Sequence, residues 1–248
     1  MLDFLKIKID TIKYFFYEKY KNKFLINYKD TKIFFAGGSR FNNYRIKTFS
    51  TKEPFTLDWI DKFEEDSVLW DIGANIGIYS CYAGVKTKSY VYCFEPNLFN
   101  LKMLMKNLQL NALENKSTIV PLALTSKDEV NYLYQHQSGM VEGGASTSFN
   151  LSYSDNNSKI SLPGISADTL LNNFGLKKPD YIKIDVDGNE VDILLAIKNI
   201  IKNVKSVLVE IDSRLENSTK IHALLSNYNL SIKSEHIYDK NVKYQIWE

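Results

Sequence analysis

The chain has 248 residues, of which 44% are hydrophobic and 24% charged, and its formal net charge is +2. This composition is typical of a globular protein with a sizeable core, and the near-neutral charge gives no electrostatic basis for nucleic-acid binding. The charge is uneven, because residues 1–50 carry 11 Lys and Arg against 4 Asp and Glu.

The first third of the chain predicts an extension that precedes the main domain. Residues 1–22 have the spacing of a basic amphipathic helix, and residues 26–49 predict strands interrupted at Gly37-Gly38 and Asn42-Asn43. Residues 54–66 predict a short amphipathic helix. We therefore expect residues 1–66 to form a helix and β extension packed on a domain that spans residues 67–248.

From residue 68, apolar segments of strand length alternate with amphipathic helical segments. This alternation predicts a parallel sheet covered by helices on both faces. Residues 230–248 predict a final pair of strands joined tightly at Asp239-Lys240-Asn241, which adds an antiparallel strand. Residues 125–166 are polar and contain glycine, and they predict an insertion between the third and fourth strands that is functional or mobile.

Cys81 and Cys93 lie in apolar segments and predict buried, reduced thiols, which favours a cytoplasmic setting. Charged residues interrupt the start of the chain, so we expect no signal peptide. No apolar run has the length of a membrane span.

The turn after the first strand of the alternation, "DIGANIG", predicts a ligand site, because open parallel sheets bind ligands at the carboxyl ends of their strands. A dinucleotide fingerprint needs a second glycine where this chain has Asn75, so the turn disfavours NAD and FAD. Glu95 ends the second strand, 24 positions after Asp71, where an acid accepts hydrogen bonds from ribose hydroxyls. A ribose without pyrophosphate fits S-adenosylmethionine, and Asp71 suits the cationic end of that cofactor.

The same residues also have a purely structural interpretation. Gly73 and Gly77 would then only permit the strand and helix to pack, Asn75 would cap the helix, and Glu95 would be solvated. The matched spacing of Asp71 and Glu95 favours the functional interpretation.

Six stretches together resemble the FkbM family of class I methyltransferases, over about residues 53–211: "VLWDIGANIGIYS", "YVYCFEPN", "KNLQLN", "PLALTS", "ADTLL" and "YIKIDVDGNEVDILLAI". The resemblance implies a Rossmann-like α/β fold with seven strands in the order 3-2-1-4-5-7-6, the last antiparallel. It implies an S-adenosylmethionine-dependent O-methyltransferase that acts on a hydroxyl of a sugar, a glycan or another hydroxylated metabolite. The cofactor contacts that it implies are Glu53, Asp71, Gly73, Asn75, Gly77, Glu95, Pro96 and Leu124.

Asp185 ends the strand beside the first one, which predicts a carboxylate facing the crevice as a base or as a group that orients the acceptor. Glu210 and Asp212 end the fifth strand on the same rim. Asp185 with one or both of these carboxylates would suit one Mg²⁺ ion, although we favour a site without an obligatory metal.

Other polar residues near the predicted site have weaker claims. Asp187 and Glu190 have the spacing of a helix capping box. His136, in the insertion, is a further candidate base, although a lone histidine is more often a polar surface residue. The stretch "EGGASTS" (142–148) predicts a glycine hinge and hydroxyls that fold over the acceptor.

Three alternative functions remain open from the sequence. A nicotinamide-dependent reductase is disfavoured by the missing glycine, and a nucleic-acid methyltransferase by the near-neutral charge and the absence of an Asn-Pro-Pro-Tyr type motif. A non-catalytic cofactor-binding subunit would use the basic N-terminal helix on a membrane or a partner. That helix equally predicts a lid or a homodimer element packed against protein.

Overall fold

The computed structural model describes residues 23–135, 140–144, 147–148, 158–186, 188–215 and 217–248. The helix predicted over residues 1–22, the candidate base His136 and the capping residue Asp187 lie outside these ranges.

The described chain begins with an antiparallel hairpin of β1 (Lys23–Tyr28) and β2 (Thr31–Ala36). The prediction of further strands after the two glycines is wrong, because α1 (Arg40–Lys47) follows. The Ser39 hydroxyl caps this helix by accepting a hydrogen bond from the Asn42 amide at 3.1 Å. The Asn42 side chain is buried and donates to the Ala36 carbonyl at 2.8 Å, so an asparagine pair typical of a turn lies inside a helix.

The second helix, α2 (Pro54–Ile60), begins with proline in its first turn, where the missing N–H costs nothing. It buries Leu57, Trp59 and Ile60, and the Trp59 indole donates to the Ser206 hydroxyl at 2.9 Å. The helix is therefore fixed against the main sheet.

The remaining helices and strands confirm the predicted alternation. In chain order they are β3 (Val68–Ile72), α3 (Ile78–Lys86), β4 (Tyr90–Phe94), α4 (Leu98–Leu110), β5 (Ser117–Val120), β6 (Ala123–Leu124), β7 (Glu129–Gln135), β8 (Thr147–Ser148), β9 (Ser158–Ile165), α5 (Ala167–Phe174), β10 (Tyr181–Ile184), α6 (Glu190–Ala196), β11 (Ser206–Asp212), α7 (Ser218–Asn227), β12 (Ile232–Ile237) and β13 (Val242–Trp247), with 3-10 turns at Ile201–Asn203 and Ser213–Leu215.

Seven strands form the main sheet in the order β12-β13-β11-β10-β3-β4-β5. Counted along the chain and read from β5, this is the order 3-2-1-4-5-7-6 that the resemblance implies. β13 runs in the opposite direction to the other six strands of this sheet. The predicted fold class is therefore confirmed.

The sheet separates two hydrophobic cores, one under β2, α2, α3 and α4 and the other under α5, α6 and α7. Covering both faces explains why the central strands are apolar at almost every position. Cys81 and Cys93 lie in the first core as buried free thiols, as predicted.

The insertion contains a second sheet, in the order β6-β9-β7-β8. β7 and β9 pair antiparallel along their whole lengths, so much of the insertion is regular structure rather than a plain polar connection. A single strand over "STIVPLAL" is not formed, because β5 ends at Val120 and β6 belongs to the second sheet. Pro121 between them has no N–H for strand pairing. No helix among the described residues is long and apolar enough to cross a membrane.

Candidate active site

A cleft of about 940 Å³, including its open mouth, lies at the carboxyl ends of β3, β4 and β10. Its walls come from α1 and the turn after it, the β3–α3 loop, the end of β4, the loop after β10, and part of the insertion. This position is where open parallel sheets bind ligands.

Gly73 lines the cleft at the tightest point of the β3–α3 loop. Its φ of +85° is in the left-handed region, and a Cβ atom there would lie 2.0 Å from the carbonyl oxygen of Asp185. Only glycine allows the ends of β3 and β10 to approach so closely while the backbone borders the cleft.

Asn75 links the loop to two other parts of the site. Its backbone amide donates to Glu95 Oε2 at 2.7 Å, and its side-chain amide donates to the carbonyl of Gly144 at 3.1 Å. Asn75 is not the helix cap, because α3 begins after Gly77.

Gly77, for which the resemblance implies a cofactor contact, does not line the cleft. Its φ is +80°, and a Cβ atom there would lie 2.5 Å from Leu104 Cδ1. Gly77 therefore permits α3 to pack against α4, which is the structural interpretation for this residue.

Glu95 lines the cleft at the end of β4 and is only 5% exposed, so it is not a solvated acid. Its two oxygens accept hydrogen bonds from the amides of Asn75 and Asn97, at 2.7 and 2.8 Å. Burial raises the pKa of Glu95 to about 7, against the lowering effect of these two N–H donors. The Asn100 side chain is a third donor to Glu95. A carboxylate offers about four acceptor positions, so Glu95 keeps the capacity for one further donor. Pro96 borders the cleft beside it.

Two residues predicted to contact the cofactor lie away from the cleft surface. Asp71 is 1% exposed beneath the floor, where it accepts a hydrogen bond from the Ser80 hydroxyl. Its Oδ1 atom has no hydrogen-bond partner among the described residues, and burial raises its pKa against the charge of Lys183. Leu124 is buried in the second core and does not line the cleft. Asp71 thus lies beside Lys183, and Leu124 packs in the second core.

Lys183 is a buried residue of the site that the sequence did not predict. It pairs with Asp71 across β10 and β3, is 1% exposed, and forms an ion pair with Asp185. Burial alone would lower the pKa of Lys183, but the carboxylates of Asp185 and Asp71 outweigh it and raise the pKa. The lysine is therefore charged.

Asp185 lines the cleft, as predicted, with 24% of its side chain exposed. Burial would raise the pKa of Asp185, but the charge of Lys183 holds it well below its ordinary range. Asp185 is therefore ionised at neutral pH.

Glu210 lies beside Asp185 and forms a hydrogen bond with it. Tyr244 is its partner across β11 and β13, and the tyrosine hydroxyl donates to Glu210 Oε2 at 2.8 Å. Burial and the charge of Asp185 raise the pKa of Glu210 well above its ordinary range. Glu210 is therefore neutral and donates to ionised Asp185, which gives two neighbouring carboxyl groups opposite protonation states.

The third predicted carboxylate does not join this pair. Asp212 is bound by Arg214, whose Nε lies 2.8 and 2.9 Å from the two carboxylate oxygens. Among the residues that the structure describes, no group of three or more His, Cys, Asp or Glu is arranged to hold a metal ion.

Glu53 also lines the cleft and is 1% exposed. Its carboxylate pairs with Lys52 at 2.9 Å, accepts from the Thr56 hydroxyl at 3.3 Å, and accepts from the Tyr79 hydroxyl. Lys52 and Tyr79 also line the cleft, and the sequence did not single them out. The available signals were that Lys52 is adjacent to Glu53 and that Tyr79 comes two residues after the glycine turn.

Part of the insertion is tied to the edge of the cleft. Arg45 Nε donates to the carbonyl of Gly143 at 2.6 Å, and Asn100 bonds the Gly143 amide and the Gly144 carbonyl at 2.9 and 3.2 Å. Gly144 and Leu133 line the cleft. The hydroxyl residues of the 142–148 stretch that were predicted to fold over the acceptor lie outside the residues whose side chains the structure describes.

The sheet order, the glycine turn after β3 and the acid at the end of β4 define a Rossmann-like α/β enzyme of the methyltransferase type. A putative rRNA methylase from Clostridium thermocellum shares this fold, with a TM-score of 0.51 and 9% identity over 79% of this chain and 94% of that one. A precorrin-6Y C5,15-methyltransferase from Geobacter metallireducens superposes with a TM-score of 0.48 and 16% identity, over 79% and 84% of the two chains.

Residues 71–232 match the family described as the methyltransferase FkbM domain, so the chain belongs to the FkbM methyltransferase family and is a methyltransferase. The hexuronic acid methyltransferase AglP of Haloferax volcanii is 29% identical over 188 residues, which cover 76% of this chain and 73% of AglP. The resemblance found in the sequence is thereby confirmed.

Proposed function

We propose that this protein is an S-adenosylmethionine-dependent O-methyltransferase that methylates a hydroxyl of a sugar. The family membership supports the reaction type, and the name of the relative AglP supports a sugar acceptor. The observation that carries the cofactor assignment is Glu95, a nearly buried carboxylate with free acceptor capacity at the ribose position of the cleft.

The residues around Glu95 fit this cofactor. Glu95 would accept a ribose hydroxyl at its remaining acceptor position, and the backbone at Gly73 and Asn75 would border the amino-acid end. The loop lacks the glycine that a pyrophosphate needs, which agrees with a nucleoside that carries no phosphate. When bound, S-adenosylmethionine supplies a methyl group attached to a positively charged sulfur.

Asp185 handles the acceptor in this proposal. As an ionised carboxylate it would accept a hydrogen bond from the acceptor hydroxyl and orient that oxygen. It would receive the hydroxyl proton as the methyl group passes from sulfur to that oxygen, which leaves S-adenosylhomocysteine. Lys183 makes Asp185 a weaker base, so alignment contributes more to the rate than proton transfer does. Neutral Glu210 donates a hydrogen bond that holds the Asp185 carboxylate in place.

Two further assignments belong to the proposal. We propose that Asp185 rather than a Mg²⁺ ion handles the hydroxyl, because Asp212 is already bound to Arg214. We also propose that residues 67–248 carry the catalytic domain and residues 1–66 an extension, whose α2 and following loop pack on the sheet through Trp59, Phe63 and Tyr181.

The proposal is tested by transfer of a labelled methyl group from S-adenosylmethionine onto hexoses, hexuronic acids, nucleotide sugars and glycolipids. Thermal shifts with S-adenosylhomocysteine and with NADH test the cofactor separately. We expect stabilisation by S-adenosylhomocysteine alone, loss of that stabilisation in Glu95→Gln, and label on a sugar oxygen. Stabilisation by NADH, or label only on nucleic acid, would overturn the proposal.

A further inference from the structure

An exposed tyrosine lies beside a lysine that lines the cleft. Lys52 lines the cleft, and its Nζ atom lies 5.4 Å from the ring centroid of Tyr238, which is 40% exposed. The Tyr238 ring lies 6.2 Å from the ring of Tyr244, whose hydroxyl binds Glu210 beside Asp185. The pair therefore lies near the carboxylate that handles the acceptor.

The charge of Lys52 faces the cleft even though Glu53 is its partner. Glu53 is 1% exposed, and it also receives hydrogen bonds from Thr56 and Tyr79, whereas 22% of the Lys52 side chain is exposed. An ammonium group has three N–H donors, so two remain after the contact with Glu53. A ligand in the cleft therefore meets the ammonium group rather than the buried carboxylate. Burial lowers the pKa of Lys52, but Glu53 and Asp185 outweigh it and keep the lysine charged.

The tyrosine is held from behind by a cluster of rings. Phe55 stacks on His236 with centroids 4.7 Å apart and planes 10° apart, and it lies 4.9 Å from Tyr244, which contacts Tyr238. Packed rings restrict the motion of Tyr238, so it offers an exposed aromatic surface at a small cost in conformational entropy.

We propose that Lys52 and Tyr238 form the acceptor subsite and that they select a sugar that carries a carboxylate. The sugar ring packs on the exposed part of Tyr238, and the carboxylate pairs with the Lys52 ammonium group while a hydroxyl of the sugar reaches Asp185. This assignment rests on the proposed function, because it identifies the substrate class of the same cleft. Apolar stacking combined with a few placed polar groups is how small-molecule sites obtain specificity.

The test measures sugar binding to the full-length protein saturated with S-adenosylhomocysteine, by NMR titration. The probes are the sodium salts of D-glucuronic, D-galacturonic and D-mannuronic acid, each compared with its neutral hexose. We expect at least one acid to bind about 10-fold or more tightly than its hexose, since hydrogen bonds to charged groups are the stronger kind.

Two variants test the subsite and one serves as a matched control. We expect Lys52→Met to remove the preference for the acid. We expect Tyr238→Ala to lower the affinity for the acid and for the hexose alike. Lys159→Met is the control, because Lys159 lies 3.6 Å over the ring of Tyr132 in the same arrangement but outside the cleft. It keeps the preference.

The affinity for S-adenosylhomocysteine is measured in every variant and separates the two proposals. No preference for any acid, or a preference that survives in Lys52→Met, overturns the subsite while the cofactor assignment stands. A large loss of S-adenosylhomocysteine affinity in Lys52→Met would assign Lys52 to the carboxylate of the cofactor and also overturn the subsite. A wild-type protein that does not bind S-adenosylhomocysteine refutes the proposed function itself.

Discussion

Asp185→Asn separates cofactor binding from methyl transfer. The substitution keeps the size of the side chain and removes the charge that accepts the hydroxyl proton. A positioned base contributes roughly 10²–10⁴-fold to a rate. Lys183 makes Asp185 a weak base, so we expect the low end of this range, a fall in kcat of about 100-fold, or about 2.7 kcal/mol of transition-state stabilisation. The affinity for S-adenosylhomocysteine should stay within about twofold, because Glu95 is unchanged.

The variant also affects stability, since Lys183 loses its ion-pair partner. Removing one partner of a buried pair costs about 3–5 kcal/mol, and the cost here is at the low end because Asp185 is 24% exposed. Lys183 also keeps Asp71 as a neighbour. Asp71→Asn is therefore a matched control, because it removes the other carboxylate beside the same lysine without touching the cleft. It should lower the free energy of unfolding and keep most of kcat.

The assays are labelled methyl transfer for kcat, calorimetry for S-adenosylhomocysteine and thermal unfolding for both variants. The reasoning is refuted if Asp185→Asn keeps kcat within about threefold of the wild type, because no base step would then depend on that carboxylate. A loss of cofactor affinity of about 10-fold or more would assign Asp185 to binding instead.

Burial raises the pKa of Glu95 to about 7, and the ionised form is the better hydrogen-bond acceptor, so affinity for S-adenosylhomocysteine should fall about 10-fold between pH 8 and pH 6 by calorimetry. Gly73→Ala should lower the free energy of unfolding by about 2–5 kcal/mol in denaturant titrations. The cost of the left-handed φ adds to the cost of the 2.0 Å contact between the new Cβ atom and the Asp185 carbonyl oxygen. Gly175→Ala has φ of +68° with nothing within 4 Å, so it should cost only about 1–2 kcal/mol. Asn100→Ala should speed amide hydrogen exchange in residues 143–144, since it removes the side chain that binds both residues.

Each of these expectations has a contrary result. Affinity that does not change between pH 6 and pH 8 would mean that the ionisation of Glu95 does not control cofactor binding. Equal destabilisation by the two glycine variants would show that the Asp185 carbonyl does not exclude a side chain at residue 73. For Asn100, the control is Asn111→Ala, which removes a side chain that bonds Phe34 in β2 and should leave residues 143–144 unchanged. Equal exchange in both asparagine variants would contradict the role of Asn100.

The strands of the main sheet were predictable because both their faces are covered and their residues are apolar almost throughout. The carboxylates at the strand ends, Glu95 and Asp185, were also predictable, since parallel strands end on one edge. The helix α1 was missed because Asn42-Asn43 is typical of a turn, and the cap at Ser39 has no acid three residues later to mark a capping box.

Other parts of the site depend on pairing across the sheet, which local patterns do not specify. Lys183 lies inside an apolar strand, and only its register with Asp71 places a carboxylate beside it. Tyr244 reaches Glu210 through the antiparallel pairing of β13 with β11. Lys52 and Tyr238 are separated by most of the chain, so no spacing rule could bring them together.

The most direct measurement of the central claim is a crystal structure of the protein soaked with S-adenosylhomocysteine. The account predicts the nucleoside in the cleft, with a ribose hydroxyl within hydrogen-bond distance of Glu95 and the sulfur directed toward Asp185. Density for the molecule elsewhere, or a ribose that makes no contact with Glu95, would contradict it.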